Sequence, residues 1–553
     1  MGRRGLLQLP KKLEGWGVTD IISMLKRLIH IGEADLSVEQ RINHWLKNAK
    51  RILTLVNANP ALAAATLHLD NELPKDTQQL LLLALFGKLC RFNDHYLQHV
   101  LASLLATFWI SNGKTPRDKV AEVIRFLRKH NLTIWQDTVK LQKALQTEKH
   151  VNYISDSRLN LAQRLCLLSG VFATRTKKVG YQIVFTHIAN RLPAQHRHHI
   201  APLIPLFEGL LPGAKVYANG VPGALVDIQQ NHGYVFTLSK DNEDGKWLPL
   251  SAIHAPVALS LPFEHFIALY TDTANARVNQ GGTPFLPSTF AIQHPPKGLI
   301  NIIDELQKQD VEIEQLCEKI EKVPSFNHFL MHTASQDNRL QLPVKSIKQA
   351  VLTYGIERVG DMLIQFALLE RLTQNQFPLM GLCKQITLLA CSLSSSFAQI
   401  VDSKFTPQSA ALTMTFVCTP LFTLPGFKVS KSLPVDLSKA VSINNAFKVK
   451  SETPWLATAS ELAGSWHQSS TWRAVIHQCG KASTEVPKSI QKEQAILVLS
   501  FAIAKACLFH QGIYSLLHDI NVKTLLSILN VQPSDVHKAL ESNGQLLFCP
   551  ISL

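Results

Sequence analysis

Apolar residues return every three or four positions along most of this chain, and that spacing predicts helices. The run DIISMLKRLIHIG (residues 20–32) stops at Gly32, and PKDTQQLLLLALFGKLCRF (74–92) and DHYLQHVLASLLATFWI (94–110) follow in the same manner. Further helices are predicted over 116–130, 157–172 and 181–192. Between residues 210 and 257 the texture changes. Short runs of β-branched and aromatic residues alternate with Pro-Gly, Asn-Gly and Asp-Gly turn signals, which predicts a small strand-rich module. Residues 279–298, NQGGTPFLPSTFAIQHPPKG, carry Pro and Gly that interrupt both helix and sheet, so they read as a linker. Helical spacing resumes at residue 299, is broken by the Pro- and Lys-rich stretch 424–437, and resumes again to the C-terminus. The expected fold is mainly α: two helical domains with a small β-rich module between them. The boundaries are drawn at 1–205 (helical), 206–262 (β-rich), 263–298 (linker) and 299–553 (helical).

Composition narrows the class. A chain of 553 residues, 46% hydrophobic and 18% charged, is expected to fold into more than one domain with ample core. The longest apolar stretch, AILVLSFAIAKACLF (495–509), contains Lys505 and is too short for a membrane span, so it reads as a buried core helix. The basic N-terminus has no sustained apolar run or cleavage site, so no signal peptide is expected. Nine cysteines without a C-x-x-C pair suit reduced, buried thiols in the cytoplasm. A net charge of +15, from 56 basic and 41 acidic residues, favours anionic partners. The basic residues are dispersed, with no aromatic-interleaved basic stripe.

The second half carries an ordered set of pieces: Ile320, Pro324, Ala334-Ser335, Ser346-Ile347, Ala350 and Gly355, then Leu462, Ala463, Trp466, Ala474, Ile476 and His477, then closing helices from Gln494 to about Glu541. Over residues 299–543 this order resembles the HDOD family, helical relatives of the HD phosphohydrolases that usually lack the metal ligands. The spacing around Ile476-His477 is not kept. More weakly, the first half resembles a degenerate HD-GYP domain, whose active members hydrolyse cyclic di-GMP. Arg175 would stand for that family's "al-x-x-R" turn. Pro212, Gly213, Val216, Asn219-Gly220, Gly223 and Val226 follow the order of its closing strand module.

These resemblances imply what is missing as well. The HD-type turn falls near AALTMTFVCTPLFTLPG, where Cys418-Thr419 stands in place of His-Asp. A lone Cys beside Thr is a poor pair for a hard cation. The one His-Asp doublet of the chain, His518-Asp519, comes about a hundred positions later, and reads as a helix-end His beside an acidic N-cap of INVKTLLSIL. No His-Asp doublet, His-His-Glu or Gly-Tyr-Pro lies where the first half would need it. Gly180-Tyr181 keeps only part of the last. No catalytic, cofactor-binding or metal residue is therefore assigned, and no cofactor is expected.

Other constellations are weighed on their own residues. His95 and His99 lie four apart on a predicted helix, but without the Glu or third ligand of H-E-x-x-H. They read as a partly buried, hydrogen-bonded pair. His196, His198 and His199 beside Arg197 read as a solvated cluster. Residues 523–545 have the outline of a helix-turn-helix, with Ser534 as cap of the second helix. That helix is poorly supplied with cations, so it reads as the domain's closing helical pair. Ser392–Phe397 carries no nucleophile elbow. The expected function is a bacterial-type signal-transduction regulator that binds rather than hydrolyses, with a protein partner or a cyclic dinucleotide as ligand. Two alternatives stay open. One is a metal-dependent cyclic dinucleotide phosphodiesterase with a rearranged site drawn from His95, His99 and the 196–199 histidines. The other is a nucleic-acid-binding regulator.

Overall fold

The structure is a computed structural model. It describes residues 36–58, 60–69, 73–111, 115, 117–146, 153–179, 181–206, 210–218, 220–229, 232–237, 245–254, 260–273, 290–308, 310–337, 343–431 and 454–548. The predicted helix over 20–32, the N-terminal targeting reading and Cys549 lie outside these residues. The chain is mainly α with one small antiparallel sheet, and it divides between Ser288 and Thr289 into two compact units.

In the first unit the helix Lys75–Leu89 forms the centre. Its run of leucines is apolar on every side, so no face suits water, and Leu80 to Phe86 are all buried. It packs on helix Leu161–Val179, while helix Asp94–Ser111 packs on Val38–Ala58 and Thr133–Val139. Helix Arg117–Lys129 is strongly two-faced and buries only Val123 and Leu127, so it lies on the outside. Arg164, 1% exposed, points its guanidinium into the preceding loop. There it donates to the carbonyls of Asp156 at 2.8 Å and Leu159 at 3.1 Å. Helix Leu161–Val179 runs unbroken through Arg175, so the turn that the HD-GYP resemblance implied there is absent: no Gly or Pro from Ala173 to Val179 interrupts the helix.

The sheet has strand order β4-β3-β2-β1-β5, with β1 Lys215–Ala218, β2 Val221–Gln229, β3 His232–Thr237, β4 Gly245–Pro249 and β5 Ile253–His254. Ala218 pairs with Val221 across a two-residue turn, and Gly220 takes φ +81° there, as a tight hairpin requires. Val216, Leu225, Val235 and Ile253 close a small core on one face. Gly213, at φ +91°, also has no room for a side chain, because a Cβ would strike Leu69.

The division between the two units falls inside the expected linker over 263–298, but both of its described ends need correction. Residues 263–272 form the helix Phe263–Asp272, which buries Phe266 against Leu62, Ala65 and Leu69. Residues 290–292 are hydrogen-bonded into the second unit, and Gly298 lies inside helix Lys297–Leu306. Spaced Pro and Gly suggested a break, but Pro262 and Pro296 instead occupy the N-cap positions of these helices. Local composition could not reveal the packing partners.

In the second unit helix Met380–Ile400 packs on Pro407–Cys418 and on Lys488–Leu508, the last containing most of the apolar stretch expected as a core helix. Ile320, Ala334, Ile347 and Ala350 are buried. The Ser335 hydroxyl accepts from the Val344 amide at 2.8 Å, and Ser346 caps helix Ile347–Tyr354 by accepting from the Gln349 amide. Gly355, at φ +81°, separates that helix from Ile356–Leu372. Trp466 ends helix Trp455–Ser465, and Ile476 is buried in the next helix, Ser470–Gln478. Among the described residues no single helix is long and apolar enough to cross a membrane.

Candidate functional site

Helix Pro407–Cys418 carries the position where an HD-type doublet was sought. It starts with reciprocal bonds between Thr406 and Ser409 and with Pro407, which has no N–H to satisfy, in the first turn. From there it runs into the core, and Cys418 and Thr419 at its end are fully buried. The Thr419 hydroxyl donates to the Phe416 carbonyl at 2.8 Å. Around them lies a thread of neutral polar groups. The Gln365 amide donates to the Thr415 hydroxyl at 3.1 Å, and that hydroxyl lies 3.2 Å from the Cys391 sulfur. Burial pushes the Cys391 thiol up to about 12, and it pushes Cys418, which also feels Cys391, well above the ordinary range.

Both thiols are therefore harder to ionise than an ordinary cysteine, and a metal-bound Cys is a thiolate. A hydroxyl, an amide and buried thiols are not the oxygen-rich, ionised set that a hard divalent cation needs. These residues do not fit an HD-type metal. Asp361, one turn before Gln365, is pushed up to about 6 by burial and then by Glu357. Among the described residues no group of three or more His, Cys, Asp or Glu side chains is placed to hold a metal ion.

The doublet itself is split by a helix boundary. His518 ends helix Ile513–His518, and its ring lies 2.8 Å from the Tyr514 carbonyl. Asp519 caps helix Ile520–Leu529, its carboxylate accepting from the Asn521 amide at 2.8 Å and the Val522 amide at 3.3 Å. Both residues are exposed. Replacing Asp519 with Ala is expected to cost about 1 kcal/mol, because two amides of the first turn lose their acceptor. Urea midpoints measure it, and a cost near zero would mean water replaces the carboxylate fully.

His95 and His99 do face each other on helix Asp94–Ser111, their rings 5.0 Å apart. His99 Nδ1 accepts from the Trp135 indole at 3.0 Å. Burial, reinforced by His95, pushes the His99 imidazole down to about 4. An unfolded histidine titrates near 6.5. Between roughly 6.5 and 4 the unfolded chain therefore binds a proton that the folded one refuses. Stability of this unit is full above that window and falls as pH drops through it, by up to about 3 kcal/mol. His68, also lowered by burial, acts in the same direction. His99→Gln should keep an acceptor for Trp135 and flatten the slope of urea midpoint against pH; an unchanged slope would assign the effect elsewhere.

His196, His198 and Arg197 lie on the short helix Ala194–Ile200, where Arg197 donates to the Leu192 carbonyl at 3.2 Å. The His196 ring is lowered by burial and then by Arg164. The side chain of His199 lies outside the described residues.

Helices Ile520–Leu529 and Pro533–Ser542 form the C-terminal pair, with Asn530 left-handed between them. Ser534 does not cap the second helix. Gln532 holds the N-cap position, and its amide donates to the Asp535 carboxylate at 3.1 Å, because Pro533 already occupies the first helical position. The pair is tied to helix Met380–Ile400: Ser392 bonds the Asn543 side chain, and the Gln385 amide donates to the Leu546 carbonyl at 2.6 Å. Ser392, read as no nucleophile, is used in this packing.

Arg371, Gln374 and Arg164, which the sequence reading did not single out, each direct polar atoms at backbone groups. For the first two the partners lie 80 and 84 positions away, and no local pattern announces them.

No family model matches the chain, and no curated protein matches it. Among solved structures it is similar to an HDOD domain protein of unknown function from Geobacter sulfurreducens. The identity is 13% and the TM-score 0.36, over 47% of this chain and 91% of that one. It is also similar to the MmoQ response regulator from Methylococcus capsulatus strain Bath, at 14% identity and TM-score 0.26, over 45% of this chain and 98% of that one.

Proposed function

We propose that this chain is a non-catalytic regulatory protein that acts by binding a partner through its helical units. The supporting observation is the neutral, fully packed surrounding of Cys418-Thr419, where hydroxyls, an amide and protonated thiols satisfy one another. A hydrolytic metal site needs ionised ligands and an open coordination position. The net charge of +15 favours an acidic protein or a nucleotide messenger as the partner. The test is elemental analysis of the purified, untagged protein for iron, manganese, zinc and nickel after dialysis, with a cyclic di-GMP hydrolysis assay in added Mn(II) and Fe(II). The expected result is little retained metal and no turnover. Near-stoichiometric metal with turnover would overturn the reading in favour of a phosphodiesterase with a rearranged site.

A second reading, direct nucleic-acid binding, draws on helix Arg117–Lys129, which exposes Arg117, Arg125, Arg128 and Lys129. On this reading, affinity for a DNA duplex falls by more than tenfold between about 50 and 200 mM salt, as counterion release requires. A flat salt response, or no binding at low salt, removes it.

A further inference from the structure

The first unit holds a cavity of about 250 Å³ bordered by Ser37, Arg41, Trp109, Lys119, Glu122 and Val123. Its walls come from three helices. Ser37 starts helix Val38–Ala58 with reciprocal bonds: its hydroxyl accepts from the Gln40 amide at 3.3 Å, and its amide donates to Gln40 Oε1 at 3.0 Å. Arg41 follows four positions later, on the same side of that helix. Helix Arg117–Lys129 turns Val123 inward, and half-buried Lys119, four positions earlier, lies on the same face. Trp109 comes from the last turn of helix Asp94–Ser111, its ring 5.8 Å from that of buried Trp45.

Arg41 is 5% exposed, and its guanidinium lies 4.5 Å from the centre of the Trp109 ring. Taking a guanidinium out of water is costly unless its donors are met. Buried Arg164 turns its donors onto loop carbonyls, whereas Arg41 borders the cavity. A guanidinium carries five N–H donors, so contacts made elsewhere do not exhaust it. Over an indole it uses its face, which leaves to its edge the two parallel hydrogen bonds that a carboxylate takes. Arg41 and Lys119 against Glu122 leave the cavity a single positive charge, which suits a monoanion better than a doubly charged phosphate. Val123 and the indole supply an apolar wall for the rest of the ligand. Pockets for drug-sized molecules begin at roughly 300 Å³, so the occupant is small.

We propose that this cavity binds a small organic monocarboxylate, its carboxylate on Arg41 and Lys119 and its apolar body against Trp109 and Val123. Helix Arg117–Lys129 buries only Val123 and Leu127, so a carboxylate bridging Lys119 to Arg41 strengthens its hold on the unit. The site is separate from the question of hydrolysis. A failed carboxylate titration leaves the metal and turnover results above standing, and turnover would leave the titration standing.

The test is isothermal titration of the full chain with sodium benzoate near neutral pH and at low salt. Saturable binding at one site, with a Kd below about 1 mM, is expected. Benzamide, which keeps the ring and shape but lacks the charge, should bind at least about tenfold more weakly. Neither Lys119 nor Glu122 is buried, so variants there leave the core intact and decide the location. Lys119→Glu should weaken benzoate at least about fivefold, and Glu122→Gln should tighten it. Arg41→Lys, which keeps the charge and loses the planar fork, should weaken it about tenfold with an unchanged circular dichroism spectrum. No saturable binding, or benzamide binding as tightly as benzoate, would overturn the proposal. Benzoate affinity indifferent to Lys119→Glu and Glu122→Gln would overturn it too, by placing the ion elsewhere. Inorganic phosphate binding more tightly than benzoate, with the same sensitivity to Lys119→Glu, would overturn the carboxylate assignment.

Discussion

Installing the missing doublet, Cys418→His with Thr419→Asp, is expected to unfold the second unit and not to create a metal site. Both positions are fully buried, and their surroundings offer only neutral groups, among them the Thr387 hydroxyl and the neighbouring thiols, to a new imidazole or carboxylate. Burying an ionised group without partners costs several kcal/mol even after it neutralises, and the larger His ring must also displace packed atoms. Together these exceed roughly 4 kcal/mol, a large share of the stability of an ordinary domain. The helix end has no slack, because the Trp455 indole donates to the Val417 carbonyl at 2.8 Å, and Trp466 lies edge-on to Phe416. Cys418→Ala, which adds no charge and leaves a small void, should cost only about 1 kcal/mol. Urea unfolding followed by tryptophan fluorescence separates the two. A double variant that stays folded and takes up Mn(II) stoichiometrically would overturn the account of this position.

Arg164→Ala should have the largest effect in the first unit, lowering its stability by about 2–4 kcal/mol. The side chain is 1% exposed, and its guanidinium holds the loop before helix Leu161–Val179. Besides Asp156 and Leu159 it approaches the carbonyls of Ile154 and Ser157 at 3.5 Å. Hydrogen bonds to a charged donor are worth more than neutral ones, and the alanine would strip several at once. The loss is bounded because residues 155–158 lie near the surface and water can reach their carbonyls. Arg164→Lys keeps the charge but not the planar fork, so it should fall between wild type and Ala. Hydrogen exchange in peptides covering 153–179 reads the change in this unit alone. Protection lowered less than tenfold in the alanine variant would mean the loop is held by other contacts.

What could be read from residues alone was whatever depends on neighbours a few positions away. The carboxylate of Asp519 reaches amides two and three residues on, and Ser346 reaches the amide of Gln349, so both caps are written locally. The small sheet announced itself the same way, through a two-residue Asn-Gly turn and alternating strands. The leucine run at 80–85 has no polar face, which dictates a central helix wherever it folds. Even here the local rule misplaced one cap: Ser534 is the right residue type, but Pro533 before it had already claimed the first helical position for Gln532's helix.

Tertiary structure decided the rest. Whether Cys418 is a ligand or a packed thiol depends on what surrounds it from helix Met380–Ile400, and burial raised its pKa beyond use. The described ends of the expected linker are packed, Phe263–Asp272 as a helix and Phe290–Ile292 as a held segment, because residues such as Leu69, Gln374 and Trp466 supplied partners from distant positions. Arg371 and Gln374 look like ordinary helix-end residues until folding brings a backbone within hydrogen-bonding reach. Capping, turns and amphipathic spacing are short-range physics and lie open in a sequence. Burial, thiol acidity and side-chain recognition of a backbone exist only after distant segments meet.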